Sequence, residues 1–339
     1  MNESCFYYGV ITPDGYRSLM NESEFSNRKN FIVEGQSPAV KRENFSFVKA
    51  RLTAEKTPYT EFCIADGCGG IFCEKFKICD EDFIGKSPCS YEKILLKKFQ
   101  NYPVKNDFEN ETENINILKE KELLRCRRFL EACRTVQNDL LRLEQPYINR
   151  EKINRFTSDV WQKITNGMKG RVGTETRRFV TCITADGSEL NMEAFDSYCE
   201  KMLVISDRTG GCAGIITDRL RRYALGSGYD VISCPCTLNP DTVEHLIIPE
   251  LNFGVFTSKH FHRADFENSR KIYAKRFVYR SADEIKIRTD FSLKAYRQLM
   301  NEAFASLKRI DELNRRLDGI YYGRTDFSAL KNYISELLF

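Results

Sequence analysis

Histidine is scarce in this chain, with three copies in 339 residues, and tryptophan occurs once. Three histidines leave little material for a histidine-built metal centre or a relay of general bases. Nineteen glycines and nine prolines are too few for a collagen-like or low-complexity chain. No apolar run approaches the roughly 20 residues of a bilayer span, so no membrane association is expected. No CxxC occurs, which removes the commonest ligand spacing of zinc and iron–sulfur sites. The opening MNESCFYYGV has no basic stretch and no long apolar core. It predicts no signal peptide and a cytoplasmic location. Net charge is +4, from 52 basic and 48 acidic residues, too balanced to mark a nucleic-acid binder by itself.

What is present is a chain of domain-forming composition, 42% hydrophobic and long enough for two domains. Its 13 cysteines are odd in number and scattered, unlike a disulfide framework. They read as reduced thiols packed as small hydrophobes. The group Cys63, Cys68, Cys73, Cys79 and Cys89 is the place where a metal stays open, as does the pair His260 and His262.

The chain repeats itself. Tyr7-Tyr8-Gly9-Val10-Ile11-Thr12-Pro13-Asp14-Gly15 matches Phe179-Val180-Thr181-Cys182-Ile183-Thr184-Ala185-Asp186-Gly187 at four of nine positions, at an offset of 172. The same offset lays Phe31-Ile32-Val33 on Leu203-Val204-Ile205, and offsets of 173 and 174 align Cys63 with Cys236 and 143–147 with 317–321. Collinear matches at nearly one offset indicate two halves, 1–172 and 173–339, expected to pack on each other. Each half reads as a strand and turn, an apolar strand, a loop, a helix (44–54; 215–225) and a further strand (229–233 in the second half). That order predicts parallel sheets. Long helices then close each half: a periodic face over 123–140 within a helical extension of about 118–165, and C-terminal helices over about 292–337. Residues 101–116, rich in Asn and Glu, read as a loop. Residues 118–178 carry 15 Lys/Arg against eight Asp/Glu. They are either a solvated helical face or a basic surface for an anionic partner or nucleic acid.

A strand–loop–helix junction is where an α/β domain binds phosphate. The P-loop form, GxxxxGK[ST], adds a lysine and a magnesium-binding hydroxyl. The first half has Gly35 and Lys41 at that spacing, but Val40 replaces the second glycine and Arg42 the Ser/Thr. The second half reads Asp207-Arg208-Thr209-Gly210-Gly211-Cys212-Ala213-Gly214, with Ala213 where the lysine belongs.

These loops, with Cys236, Pro240, Asp241 and the run Ile247-Ile248-Pro249-Glu250-Leu251, resemble an uncharacterised bacterial ATPase-like family with two tandem P-loop domains. Its members carry G-x-P-G-T-G-K-S loops and a segment close to H-C-x-x-D-P-x-S-L-D-x-V-I-I-P-E-L. Asp311-Glu312-Leu313, Ile320-Tyr321 and Asp326-Phe327 are similar to the family's helical tail. The resemblance implies tandem P-loop NTPase domains that bind ATP and magnesium. Here Thr257 falls where the family's metal-binding aspartate ends its strand; in the first half Asp80 could fill that place, with Asp82 and Gly85 competing for it. Both sites are therefore expected to be degenerate, with no catalytic and no metal-binding residues named. The expected function is binding or assembly, with an unknown protein partner open. The alternatives are weak, nearly magnesium-independent ATP binding at Gly35, Lys41 and Arg42, those cations otherwise being ordinary surface charges, and a basic interaction module over 118–178.

Overall fold

The computed structural model describes residues 6–19, 29–64, 67–81, 91–101, 107–259, 266–267, 269–279 and 284–339. The first hairpin joins β1 (Tyr7–Thr12) to β2 (Gly15–Ser18), with Gly15 at φ 109° and the Thr12 hydroxyl donating to the Gly15 carbonyl at 2.6 Å. Then follow β3 (Lys29–Glu34), α1 (Pro38–Ala54), β4 (Tyr59–Ile64), β5 (Gly67–Cys73), β6 (Phe76–Asp80) and β7 (Glu92–Leu95). The half ends in α2 (Asp107–Glu144) and α3 (Arg150–Ile164). A short β8 (Glu175–Arg177) precedes the hairpin of β9 (Thr181–Thr184) and β10 (Gly187–Leu190), and then the brief α4 (Glu193–Asp196). Next come β11 (Lys201–Ser206), α5 (Gly211–Gly226), β12 (Val231–Pro235), β13 (Val243–Ile248), β14 (Phe253–Ser258) and β15 (Ser269–Tyr273). The chain closes with α6 (Lys286–Tyr321) and α7 (Phe327–Leu338). Apart from β8 and α4, the second half repeats the element order of the first.

The fold is mixed α/β with parallel segments rather than the parallel sheets expected. β3 sits between parallel neighbours β6 and β7, and β11 between β14 and β15. The runs β4–β5–β6 and β12–β13–β14 are antiparallel. The links between those strands are too short for the crossover a parallel pair needs, so each strand must reverse on its neighbour.

Each sheet is covered on both faces. Phe31, Val33, Phe76 and Ile78 of the first sheet pack with Val40, Phe45 and Val48 of α1. Phe72 and Cys79 face the other way and meet Met202, Val204, Ile232 and Phe256 of the second sheet. The two sheets thus pack on each other through one core.

The last helix of each half lies on the other half. Ile153, Phe156 and Val160 of α3 pack with Leu203, Ile205, Cys212 and Ile216. Leu330, Ile334 and Leu338 of α7 join the core of the first sheet. Backbone hydrogen bonds fix both crossings: Asn149 N–H donates to the Phe277 carbonyl at 2.7 Å, and Asp326 N–H to the Phe99 carbonyl at 2.7 Å. Asn149 and Asp326 then cap α3 and α7, accepting from Lys152 and Ala329 N–H at 2.9 Å each.

The long helices run antiparallel. Their ion pairs step in opposite directions along the two chains: Arg316–Glu111, Arg309–Glu122, Arg125–Glu302 and Arg288–Asp139. Cys126, Leu130 and Cys133 meet Met300 and Ala303, and the pair rests on Ile11 and Ile183 of the two hairpins. The stretch read as a loop over 101–116 is helical from Asp107. Tertiary packing overrides its poor composition, because Ile115 is buried against Leu313, Leu317 and Tyr321.

Candidate functional site

The end of β3 leads through Gly35-Gln36-Ser37 into α1. Pro38 suits the first helical position, where its missing N–H costs nothing, and Ser37 Oγ accepts from Val40 N–H at 3.2 Å. α1 therefore begins before residue 44, where apolar periodicity alone placed it. Gly35 has a packing reason: a Cβ there would lie 2.7 Å from Leu96 Cδ1. Its N–H donates to Glu81 Oε1 at 3.1 Å.

Lys41 is only 7% exposed, and its Nζ donates to Asp80 Oδ1 and Glu81 Oε1 at 2.9 Å each. Asp80 ends β6 directly across from Val33. The first free amide of α1, Ala39 N–H, meets Asp318 from the far end of α6. Asp318 Oδ1 accepts from Ser37 Oγ at 2.7 Å and Ala39 N–H at 2.9 Å, with Arg42 3.6 Å from its other oxygen. A carboxylate of the chain thus sits where the helix dipole and free N–H groups attract an anion.

The second loop is filled the same way. Gly210 ends it at φ 89°, in the left-handed region glycine tolerates best. One Asp207 oxygen accepts from Thr209 N–H at 3.2 Å and Thr209 Oγ1 at 3.1 Å, and the other from Ala213 N–H at 2.9 Å. Glu144, the last residue of α2, also meets Thr209 Oγ1, and a Cβ on Gly211 would lie 2.7 Å from its Oε2. Gly214 lies inside the helix, bonded to the Gly210 carbonyl, with open space where a Cβ would stand.

Burial first, and then the charge of Asp207, push the Glu144 carboxyl up to about 6, against the Thr209 bond that lowers it. The hydroxyl of Thr209 has one proton for two carboxylates. Thr209 Oγ1 therefore donates to one carboxylate at a time, and protonation of Glu144 relieves its repulsion with Asp207. Because the folded state holds this proton more tightly than the unfolded chain, Glu144 contributes stability that is complete below about 4.5 and lost as pH rises through about 6. Glu144→Gln is expected to raise stability at pH 7.5 by about 1–2 kcal/mol. It should also flatten the stability profile between pH 4.5 and 6.5, as read by urea unfolding across pH. A loss of stability at pH 7.5 would count against this assignment.

Ala213 occupies the Lys41 position, buried and without a charge. Thr257 stands across from Ile205 as Asp80 stands across from Val33, and its hydroxyl donates to the Glu244 carbonyl at 2.7 Å. The ammonium near this loop comes from Lys259, 2.6 Å from Glu244 Oε1. Burial works against its charge, but Glu244 first, and Asp207, outweigh that and hold it above the usual lysine range. The cavity beside the loop measures about 40 Å³. That is room for a few waters, against the roughly 300 Å³ or more of a small-molecule site. The cleft at the first loop, about 570 Å³, is large enough, but Glu109, Glu113 and Glu120 outnumber Lys97 and Arg324 along its wall. Its charge is wrong for a polyphosphate.

The remaining residues that carried the resemblance lie elsewhere. Cys236 is buried near the long helices, and burial raises its thiol. The Pro240 carbonyl accepts from Arg177, and Asp241 is an exposed partner of Arg17 at 3.5 Å. Pro249–Leu251 forms a 3-10 turn at the end of β13 away from Thr257, where Glu250 pairs with Lys169 and Arg171. Many cations of 118–178 are likewise committed within the chain: Arg125, Arg134, Arg155 and Arg171 all hold carboxylates. Of the nine cysteines whose side chains are described, eight are buried, and among the described residues no group of three or more His, Cys, Asp or Glu could hold a metal; the side chains of Cys63 and Cys68 lie outside the described set. No described helix is long and apolar enough to cross a membrane. His260, His262, Asp82, Gly85 and Cys89 lie outside the described residues.

Sequence reasoning passed over Glu81, Glu144 and Asp318. For the last two the signal was present, because the repeat at offset 174 lays Glu144 on Asp318. Comparisons with family models, curated proteins and solved structures match nothing to this chain.

Proposed function

We propose that this chain is a pseudo-ATPase: a tandem duplication of P-loop-type domains whose nucleotide sites have closed, acting through binding or assembly rather than hydrolysis. The observation that carries this reading is the pair of self-supplied anions, Asp318 on α1 and Asp207 with Glu144 on α5. A nucleotide phosphate would have to displace Asp318 from Ala39 N–H, or Asp207 from Thr209 and Ala213 N–H, and enter a region that Glu144 makes more negative.

Phosphoryl transfer depends on charge neutralisation at the phosphates. The second loop offers no lysine, Arg42 in the first has no lone pair for a metal, and Thr257 replaces the carboxylate. Losing one such group commonly costs on the order of 3 kcal/mol of transition-state stabilisation. The residues of the second loop therefore do not fit magnesium and nucleotide.

A second reading, weak ATP binding at Gly35–Arg42, draws on one feature, the adjoining Lys41–Asp80 pair. Calorimetry with ATP, with and without Mg²⁺ and at two salt concentrations, separates the two. The pseudo-ATPase reading expects no binding tighter than about 1 mM. Tight, Mg²⁺-dependent binding that is lost in Lys41→Ala would replace it with a working ATPase site in the first half.

A further inference from the structure

Each long helix touches both loops. Asn116 of α2 donates to Gln36 Oε1 of the first loop at 3.2 Å, and Glu144 of the same helix meets Thr209 of the second. On α6, Asp290 holds Arg208 of the second loop at 2.6 Å and Asp318 holds Ser37 and Ala39 of the first. Along each helix the two contacts are 28 residues apart, about 42 Å at the α-helical rise. The helices are laced to each other by the ion pairs described above and by the Cys126–Met300 core between the loops.

We infer that the two loops are coupled, with α2 and α6 acting as a strut latched at both ends, so that releasing one loop loosens the other. The latches are short and local, whereas the helix pair between them is joined from Glu111–Arg316 to Asp139–Arg288 and packed through two apolar cores. The coupling requires that the helix pair, released at one end, shift as a body at the other. The coupling does not depend on any ligand, so it stands or falls separately from the pseudo-ATPase reading.

Amide hydrogen exchange on the full chain tests it. Asp318→Ala unlatches the first loop and is expected to speed exchange about fivefold at residues 209–214, across the molecule. Asp290→Ala removes an exposed pair at the second loop. It should therefore leave the fold intact and speed exchange about twofold at residues 39–42. Glu151→Ala, on an exposed ion pair that belongs to neither loop and to neither long helix, should change neither. Changes confined to the mutated loop in both variants would overturn the proposal. If Asp318→Ala fails to fold, the Asp290→Ala arm decides alone.

Discussion

Ile334→Ala is expected to cost about 3 kcal/mol of unfolding free energy, and the damage should appear in the first half although Ile334 lies in the final helix. Its side chain is fully buried among Phe31, Val33, Phe45, Val48 and Ile78. Truncation deletes three carbons there and leaves a cavity that a two-sided sheet cannot readily close. Amide exchange should therefore accelerate in β3 and β6 more than in β11 and β14. Ile153→Ala in α3 should do the reverse, because Ile153 is buried against Leu203, Ile205 and Ile216. If each variant instead loosened the half that contains it in sequence, the exchange of terminal helices would be refuted.

Asp80→Ala is expected to destabilise by about 2–4 kcal/mol, because it strands the nearly buried Lys41 ammonium. The side chains of this pair are 9% and 10% exposed, and Glu81, at 36%, is too wet to replace Asp80 fully. Replacing both partners, Lys41→Met with Asp80→Leu, should cost less than Asp80→Ala alone, since no charge is then left buried. Urea unfolding of the three proteins provides the comparison. A cost below about 0.5 kcal/mol for Asp80→Ala would mean that the pair is not structural.

Much of this architecture could be read locally. The Thr12–Gly15 and Thr184–Gly187 turns, the apolar strands Phe31–Val33 and Leu203–Ile205, and the stop at Gly228 all follow from short-range chemistry. The repeat offset pointed to two similar runs of elements. What escaped was everything set by distant partners. Nothing in the local composition of 150–164 or 327–338 says which sheet an amphipathic helix will cover, and both cover the sheet of the other half. The helical start at Asp107 depends on Ile115 meeting α6, a contact across some 200 residues of sequence.

The loops divide the same way. Val40, Arg42, Ala213 and Thr257 disclose missing phosphate chemistry in the sequence alone. The repeat lays Glu144 on Asp318, but a carboxylate at the end of a long helix has no assigned partner until the fold brings it to another helix's N-terminus. The sequence placed Asp207 in the second loop without assigning it a partner. An aspartate six residues before Ala213 in a turn ahead of a helix is a natural acceptor for first-turn amides.

The most direct measurement is a crystal structure of the full chain grown with saturating Mg-ATP. Both loops are expected to keep their present partners, with Asp318 on Ser37 and Ala39, Asp207 on Thr209 and Ala213, and no ordered nucleotide at either. An ordered Mg-nucleotide at residues 207–214, or one at Gly35–Arg42 with Asp318 displaced, would contradict the account.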